Sequence, residues 1–138
     1  MNEQYVMDAC ALIAFLRDEA GSESVTSVLR SADSGNAAIR MNGINLLEVY
    51  YDVYRMAGRK KAHEELIMIK KLPFTIASEL SDDVFLEAGR LKASYRISLA
   101  DSIALAEASV SGGLLLTADH HEFDVIEKQE SIRFHWIR

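Results

Sequence analysis

Residues 98–124 read S-L-A-D-S-I-A-L-A-E-A-S-V-S-G-G-L-L-L-T-A-D-H-H-E-F-D, and no other stretch limits the fold so tightly. The spacing predicts a helix that is apolar on nearly every side, with Leu99, Ala100, Ile103, Ala104, Leu105, Ala106, Ala108 and Val110. A helix of that kind is packed inside a domain. Gly112-Gly113 stops it, and Leu114–Thr117 follows as a short apolar strand that delivers Asp119 into a polar loop. Asp101 sits in the first helical turn, close to Ala104, Leu105 and Ala108 on the helix surface. A carboxylate withdrawn among small apolar residues is costly unless it is hydrogen-bonded or holds a cation. Ser98 and Asp101 also have the spacing of a cap, so a structural explanation stands beside a functional one.

Strand and helix patterns alternate along the rest of the chain, which favours an α/β domain with a mostly parallel sheet. Tyr5-Val6-Met7 is a short strand ending in Asp8, and a helix follows from Ala9 to about Arg17. Ser22 caps a second helix with Val25, Val28 and Leu29 on one face. After the turn Ser34-Gly35-Asn36, residues Ala37 to Asn42 read as the second strand. Asn45 is expected to cap the next helix, with Glu48 three positions on and an end near Gly58. An amphipathic helix from Arg59 to Leu72 is broken by Pro73, and Phe74-Thr75-Ile76 forms the third strand. Ser81 opens a helix with Val84, Ala88, Leu91 and Tyr95 in register. A short helix near 122–129 and a strand with Ile132, Phe134 and Trp136 alternating close the chain.

The 138 residues suit a single domain, 1–138, with a core of its own. No stretch is long and apolar enough to span a bilayer, and M-N-E-Q lacks the basic start of a secretory signal. Cys10 is the only cysteine, so neither an intrachain disulfide nor a cysteine metal cluster is available. A cytoplasmic protein is the simplest expectation, with no membrane partner. The net charge of −6 argues against an indiscriminate nucleic-acid coat, but not against an enzyme with a local basic patch and metal ions at its site.

Acids fall beside the strand ends. Asp8 follows the first strand, Glu48 lies in the helix after the second, Asp119 follows Leu114–Thr117, and Asp101 opens the helix just before that strand. In an open parallel sheet, functional residues gather beyond the carboxyl ends of the strands. The four carboxylates can therefore meet at one edge, where protons or cations must compensate their charge. Hard oxygen ligands without cysteine favour Mg²⁺ or Mn²⁺ over zinc. Taken singly, each acid also has a structural reading: Asp8 as a cap, Glu48 as part of a capping pair, Asp119 as a solvated loop residue. Placement at one edge by independent segments is what favours a joint role.

The segments Y-V-M-D-A-C-A-L-I-A, N-G-I-N-L-L-E-V-Y-Y, S-L-A-D-S-I-A-L-A-E-A and L-L-L-T-A-D-H-H-E-F together resemble the PIN-domain family. Within it the chain is most similar to the VapC-type toxins of toxin–antitoxin pairs, and the likeness covers essentially the whole chain. The resemblance implies a three-layer α/β/α fold with a central parallel five-stranded sheet of order 3-2-1-4-5. It implies metal-dependent endoribonuclease activity, restraint by a cognate antitoxin protein, and frequent homodimers. Carried over residue by residue, Asp8, Glu48, Asp101 and Asp119 are the expected metal and catalytic acids. Thr117 is the hydroxyl residue of the T-x-D motif. Two departures stand out: Asn42 and Asn45 occupy positions where many relatives carry Ser or Thr, and the loop after Asp119 offers both Glu122 and Asp124.

Such a site suits hydrolysis of RNA phosphodiester bonds with Mg²⁺ or Mn²⁺. Arg55, Arg59, Lys60 and Lys61 are the expected RNA-binding residues, with Arg90, Lys92 and Arg96 as a rival stretch; either can equally be a solvated helix face. The alternative from another class is a non-catalytic PIN-like module that binds RNA or protein. A phosphatase of the haloacid dehalogenase type would want D-x-D where this chain has Asp8-Ala9-Cys10.

Overall fold

Val6 and Met7 are neighbours on the strand β1 (Glu3–Met7), and side-chain alternation sends them to opposite faces of a sheet. Both are buried, so helices must cover each face. The protein, a computed structural model describing residues 2–138, meets that demand with a five-stranded, all-parallel sheet. Its order is β3-β2-β1-β4-β5, with β2 at Ala37–Asn42, β3 at Thr75–Ala77, β4 at Leu114–Thr117 and β5 at Arg133–Trp136. Met7, Ile39, Met41 and Leu116 pack against α1 (Ala9–Leu16), α2 (Ser22–Asp33) and α3 (Gly43–Ile69). Val6 and Leu115 pack against α4 (Asp82–Ser94), α5 (Leu99–Ser111) and α6 (His120–Gln129). The α/β fold, the three layers and the strand order thus agree with the expectation from the sequence.

The helix α5 is the buried one, with Ile103, Leu105 and Ala106 closed off from solvent. Ser98 caps it by accepting from the Asp101 amide at 3.0 Å, as the spacing predicted. Gly112 ends it at φ 72°, a left-handed turn that glycine adopts without penalty.

Two helix starts differ from the sequence reading, and the break expected at Gly58 holds. The cap of α3 is Asn42, whose Oδ1 accepts from the Ile44 amide at 2.9 Å. Asn45 lies inside the first turn, buried, because α5 engages its side chain. The expected break at Gly58 appears as a non-helical residue (φ 87°, ψ 173°) between two helical halves of α3. The last helix starts at His120, two residues earlier than expected, because Asp119 caps it by accepting from the Glu122 amide.

Gly113 leads β4 in beside β1, and a Cβ there would stand 3.0 Å from the Gln4 carbonyl oxygen. That oxygen belongs to the strand with which β4 pairs, so it cannot yield without shifting the sheet. We expect Gly113→Ala to lower stability by about 1–3 kcal/mol in urea unfolding. An unchanged midpoint would show that β1 and β4 separate freely there.

Candidate active site

The chain runs from β1 to β2 and β3 on one side and returns to β4 and β5 on the other, so the strand order reverses at β1 and β4. A crevice at such a switch point is where open parallel sheets place their ligands. Asp8 and Thr117 sit at the carboxyl ends of these two adjacent strands.

Asp8 is 3% exposed and held at both carboxylate oxygens. Oδ1 accepts from the Ala11 amide at 2.8 Å, which caps α1. Oδ2 accepts from the Thr117 hydroxyl. Thr117 Oγ1 in turn accepts from the Asp119 backbone amide at 3.1 Å, so one hydroxyl ties the Asp8 carboxylate to the backbone of Asp119. Asp8 is therefore a helix cap and a buried acid at once.

The remaining acids arrive on helices. Glu48 lies in the second turn of α3 and is half-buried, and Asp101 occupies the first turn of α5. Their electrostatics record the convergence. Burial pushes the Asp8 carboxyl up to about 7 against the pull of its hydrogen bonds, and the charges of Asp101 and Asp119 push the same way. Burial and then Asp119 raise Asp101 to about 6, with Glu48 and Glu122 adding to the effect. Glu48 is raised by burial, Asp119 and Asp52. Asp119 is common to all three.

The donor set is made of hard oxygens, which suits Mg²⁺ or Mn²⁺. Among the described residues, no three His, Cys, Asp or Glu side chains are grouped so that they could hold a metal ion. The fit to a divalent cation therefore rests on the chemistry of the donors and on repulsion that a cation would relieve.

Of the two further acids, Glu122 acts on Asp101, whereas Asp124 accepts from or pairs with His120 Nδ1 at 2.8 Å. His120 is drawn away from the acids, stacked on Trp136 with centroids 3.8 Å apart and bonded through Nε2 to the Arg138 carbonyl. Burial pushes the Cys10 thiol up to about 11, so it offers no ready nucleophile.

The basic residues do not join this cluster. Arg55 pairs with Asp52 at 2.9 Å and lies over the Tyr51 ring, and Lys61 pairs with Glu65 at 3.4 Å. Arg59 and Lys60 are exposed beside Gly58, with no ion pair among the described residues. All four start at least seven residues beyond Glu48, roughly 10 Å or more along α3. In the rival stretch, Arg90 is bound by Glu87 and Glu130 beside a cavity lined by Gly112, Gly113 and Ile132, at the opposite end of the sheet.

Two polar contacts close to the site were not expected. Asn42 Nδ2 donates to Glu107 Oε2 at 2.9 Å, and Asn45 Nδ2 donates to the Ala100 carbonyl at 3.0 Å. The signal available in the sequence was Glu107, the one charge in α5 beyond its first turn, opposite the polar alternation Arg40-x-Asn42.

A sequence model of the PIN domain matches residues 5–129. Comparison with curated protein sequences gives no match. Among solved structures, the chain is similar to VapBC2 from Rickettsia felis bound to a DNA fragment from their promoter, with 18% identity and a TM-score of 0.72 over 96% of this chain and 97% of that one. It is similar to DNA-bound VapBC from Salmonella typhimurium, with 14% identity and a TM-score of 0.72 over 100% of both chains. It also resembles VapC20 from Mycobacterium tuberculosis, a sarcin-ricin loop cleaving toxin, with 14% identity and a TM-score of 0.61 over 82% of this chain and 86% of that one. At these identities the likeness is one of fold.

The raised acids fix a sign for metal-free stability. Their native values lie above those of the unfolded chain, so stability they contribute is complete below about pH 4 and is lost as pH rises through 6 and 7. In EDTA the melting temperature should fall between pH 5 and 8. Asp101→Asn should reduce that fall and raise the melting temperature at pH 8 by about 4 °C, the scale of roughly 1 kcal/mol. A variant that melts lower than the parent at pH 8 would show that Asp101 is structurally required instead.

Proposed function

Because the chain belongs to the PIN-domain family, we propose that it is a Mg²⁺- or Mn²⁺-dependent endoribonuclease and the toxin member of a toxin–antitoxin pair. The observation that carries this reading is that Asp8, Glu48 and Asp101, borne by three separate segments, each have a proton affinity raised first by burial and then by neighbouring acids, Asp119 being common to all three. Acids are costly to gather in this way unless cations or protons serve there. A non-catalytic PIN-like module has no use for that cost.

Asp8, Asp101 and Asp119 would hold the metal, with Glu48 completing the set. When bound, the ion lowers the pKa of a water and neutralises charge on the phosphate. The protein groups divide the remaining work. Thr117 holds Asp8 and the Asp119 backbone in a fixed relation. Glu48, half-buried with a raised proton affinity, is suited to orient the attacking water and take up its proton. RNA would be held through its phosphates by Arg55, Arg59, Lys60 and Lys61.

The partner proteins follow from apolar surface. A cavity of about 190 Å³ between α1 and α3 is lined by Ile13, Leu16, Arg17, Val53, Met56 and Lys61 among others, and suits an apolar segment of an antitoxin. Leu12 and Val28 are buried in the core, whereas Met56 is 66% exposed. A homodimer completes the reading, with Phe85, Leu86 and Leu99 exposed on the α4–α5 layer as apolar surface for a second copy. The Rickettsia felis and Salmonella typhimurium structures to which the chain is similar in fold are VapBC assemblies, which supports a partner of this kind.

Purified protein should cleave single-stranded or looped RNA with Mg²⁺ or Mn²⁺ and stop on addition of EDTA. Asp8→Asn and Asp119→Asn should each abolish cleavage while the chain stays folded; full activity in either variant would end the catalytic assignment.

Replacing Arg59, Lys60 and Lys61 together with Ala should weaken RNA binding across sequences without moving the cleavage position. For single strands each phosphate contact adds about −0.7 to the slope of log affinity against log salt, so losing roughly two contacts flattens it by about 1.4. An unchanged slope would place the RNA path elsewhere.

A further inference from the structure

The structure assigns Asn42 and Glu107 the role of positioning residues: they form a clasp that sets α3 against α5 and so fixes Glu48 relative to Asp101. This inference rests on the proposed reading of the acids as a metal site and extends it beyond the acids themselves. Asn42 works at both ends of its side chain. Its Oδ1 caps α3 through the Ile44 amide, and its Nδ2 grips Glu107 Oε2 on α5 at 2.9 Å. Arg40 Nε holds the other carboxylate oxygen at 3.2 Å. Glu107 is 3% exposed, and Asn42 is 2% exposed.

The sheet explains why an acid stands there. Ile39 and Met41 of β2 face the α1–α3 layer, so Arg40 and Asn42 turn toward α5. Over β2, α5 meets a polar strand face, whereas over β1 and β4 it meets Val6 and Leu115. Glu107 satisfies both polar groups with one side chain. An apolar pair of matching shape commonly stabilises as well as a buried ion pair, so stability alone gives little reason for this arrangement. What it provides is direction: a cap and a cross-helix bond made by the same amide.

A second tie makes the hold rigid. Asn45 Nδ2 donates to the carbonyl of Ala100, the residue before Asp101. Ala100 and Glu107 lie seven residues apart, about 10 Å along α5. A helix held at two such points can neither turn about one bond nor slide past its neighbour. Asp101 lies between the two tied residues of α5, and Glu48 follows Asn45 by one turn on α3, so the ties act on the turns that carry both acids. The Oδ1 of Asn45 is buried without a hydrogen-bond donor, and its orientation is set by the Ala100 bond alone.

The test uses the full chain and reads Mn²⁺ affinity by electron paramagnetic resonance, with thermal unfolding and RNA cleavage alongside. Glu107→Ala should unfold cooperatively, bind Mn²⁺ about 10–100-fold more weakly and lower kcat with the KM for RNA unchanged. Glu107→Gln, whose amide oxygen still accepts from Asn42, should recover most of the affinity. A folded Glu107→Ala with parental Mn²⁺ affinity overturns the inference. Should Glu107→Ala fail to fold, Asn42→Ser decides in the same way: serine still caps α3 but is too short to reach Glu107, so weakened Mn²⁺ binding supports the clasp and parental binding overturns it. Failure of the parent protein to bind Mn²⁺ counts against the functional reading instead. The clasp is then judged by crystal structures of parent and Glu107→Ala, where a displaced first turn of α3 against α5 supports it and an unmoved one refutes it.

Discussion

A carboxylate with almost no access to water must be held by other groups, and Asp8 is held by two. The Ala11 amide draws one oxygen into the cap of α1, and the Thr117 hydroxyl draws the other across to β4. The second bond joins the end of β1 to the end of β4, more than a hundred residues later. They also stand where the strand order reverses, so the fold and the site share one fixed point. Thr117 is buried and fully engaged, donating to Asp8 and accepting from the Asp119 amide. A serine there would keep the hydroxyl, and a valine would keep the volume. Only threonine supplies the hydroxyl together with the apolar bulk suited to a buried strand end.

The layered fold was legible because periodicity reports it. The apolar run at Leu114–Thr117, the mostly apolar helix between residues 99 and 111, and the caps at Ser81 and Ser98 fell where the structure has them, and the run at Tyr5–Met7 is the end of β1. The errors came where one side chain serves two elements. Local spacing pointed to Asn45 as the cap of α3, but α5 takes hold of Asn45 from outside the helix and Asn42 makes the cap. Likewise, Asp119 reads as a loop residue until the Glu122 amide is seen bonded to it. Local rules cannot see a partner fifty residues away. The acids were legible as a set because strand ends converge in any open parallel sheet, whereas the Asn42–Glu107 contact depends on which strand lies under α5.

The acid cluster and the rest of the molecule handle charge in opposite ways. On the far side of the sheet, Arg90 holds Glu87 and Glu130, and both carboxyls are drawn below their ordinary range. At the site, no arginine or lysine pairs with Asp8, Glu48, Asp101 or Asp119 among the described residues. Arginines are present in the chain and are used to neutralise acids elsewhere, so the difference is one of placement. A site kept free of basic side chains stays open to cations from solution, at the expense of stability in their absence.

That expense explains the company the acids keep. Small residues pack the helix behind Asp101: Ala104, Ala106 and Ala108 are all at most 1% exposed. Close packing by small side chains brings α5 down onto the sheet and leaves its first turn little room to retreat from the repulsion of Asp119. The helix that bears Glu48 is restrained differently, by its cap and by its hold on α5, because beyond Gly58 its second half turns away and contributes Ile69 to the core from another direction. Repulsion between like charges acts equally on both helices, so whichever is held less firmly sets how far the carboxylates spread. For α3 that restraint combines Asn42 and Asn45, two amides at the start of the helix, with the burial of Leu46 and Val49 in the core.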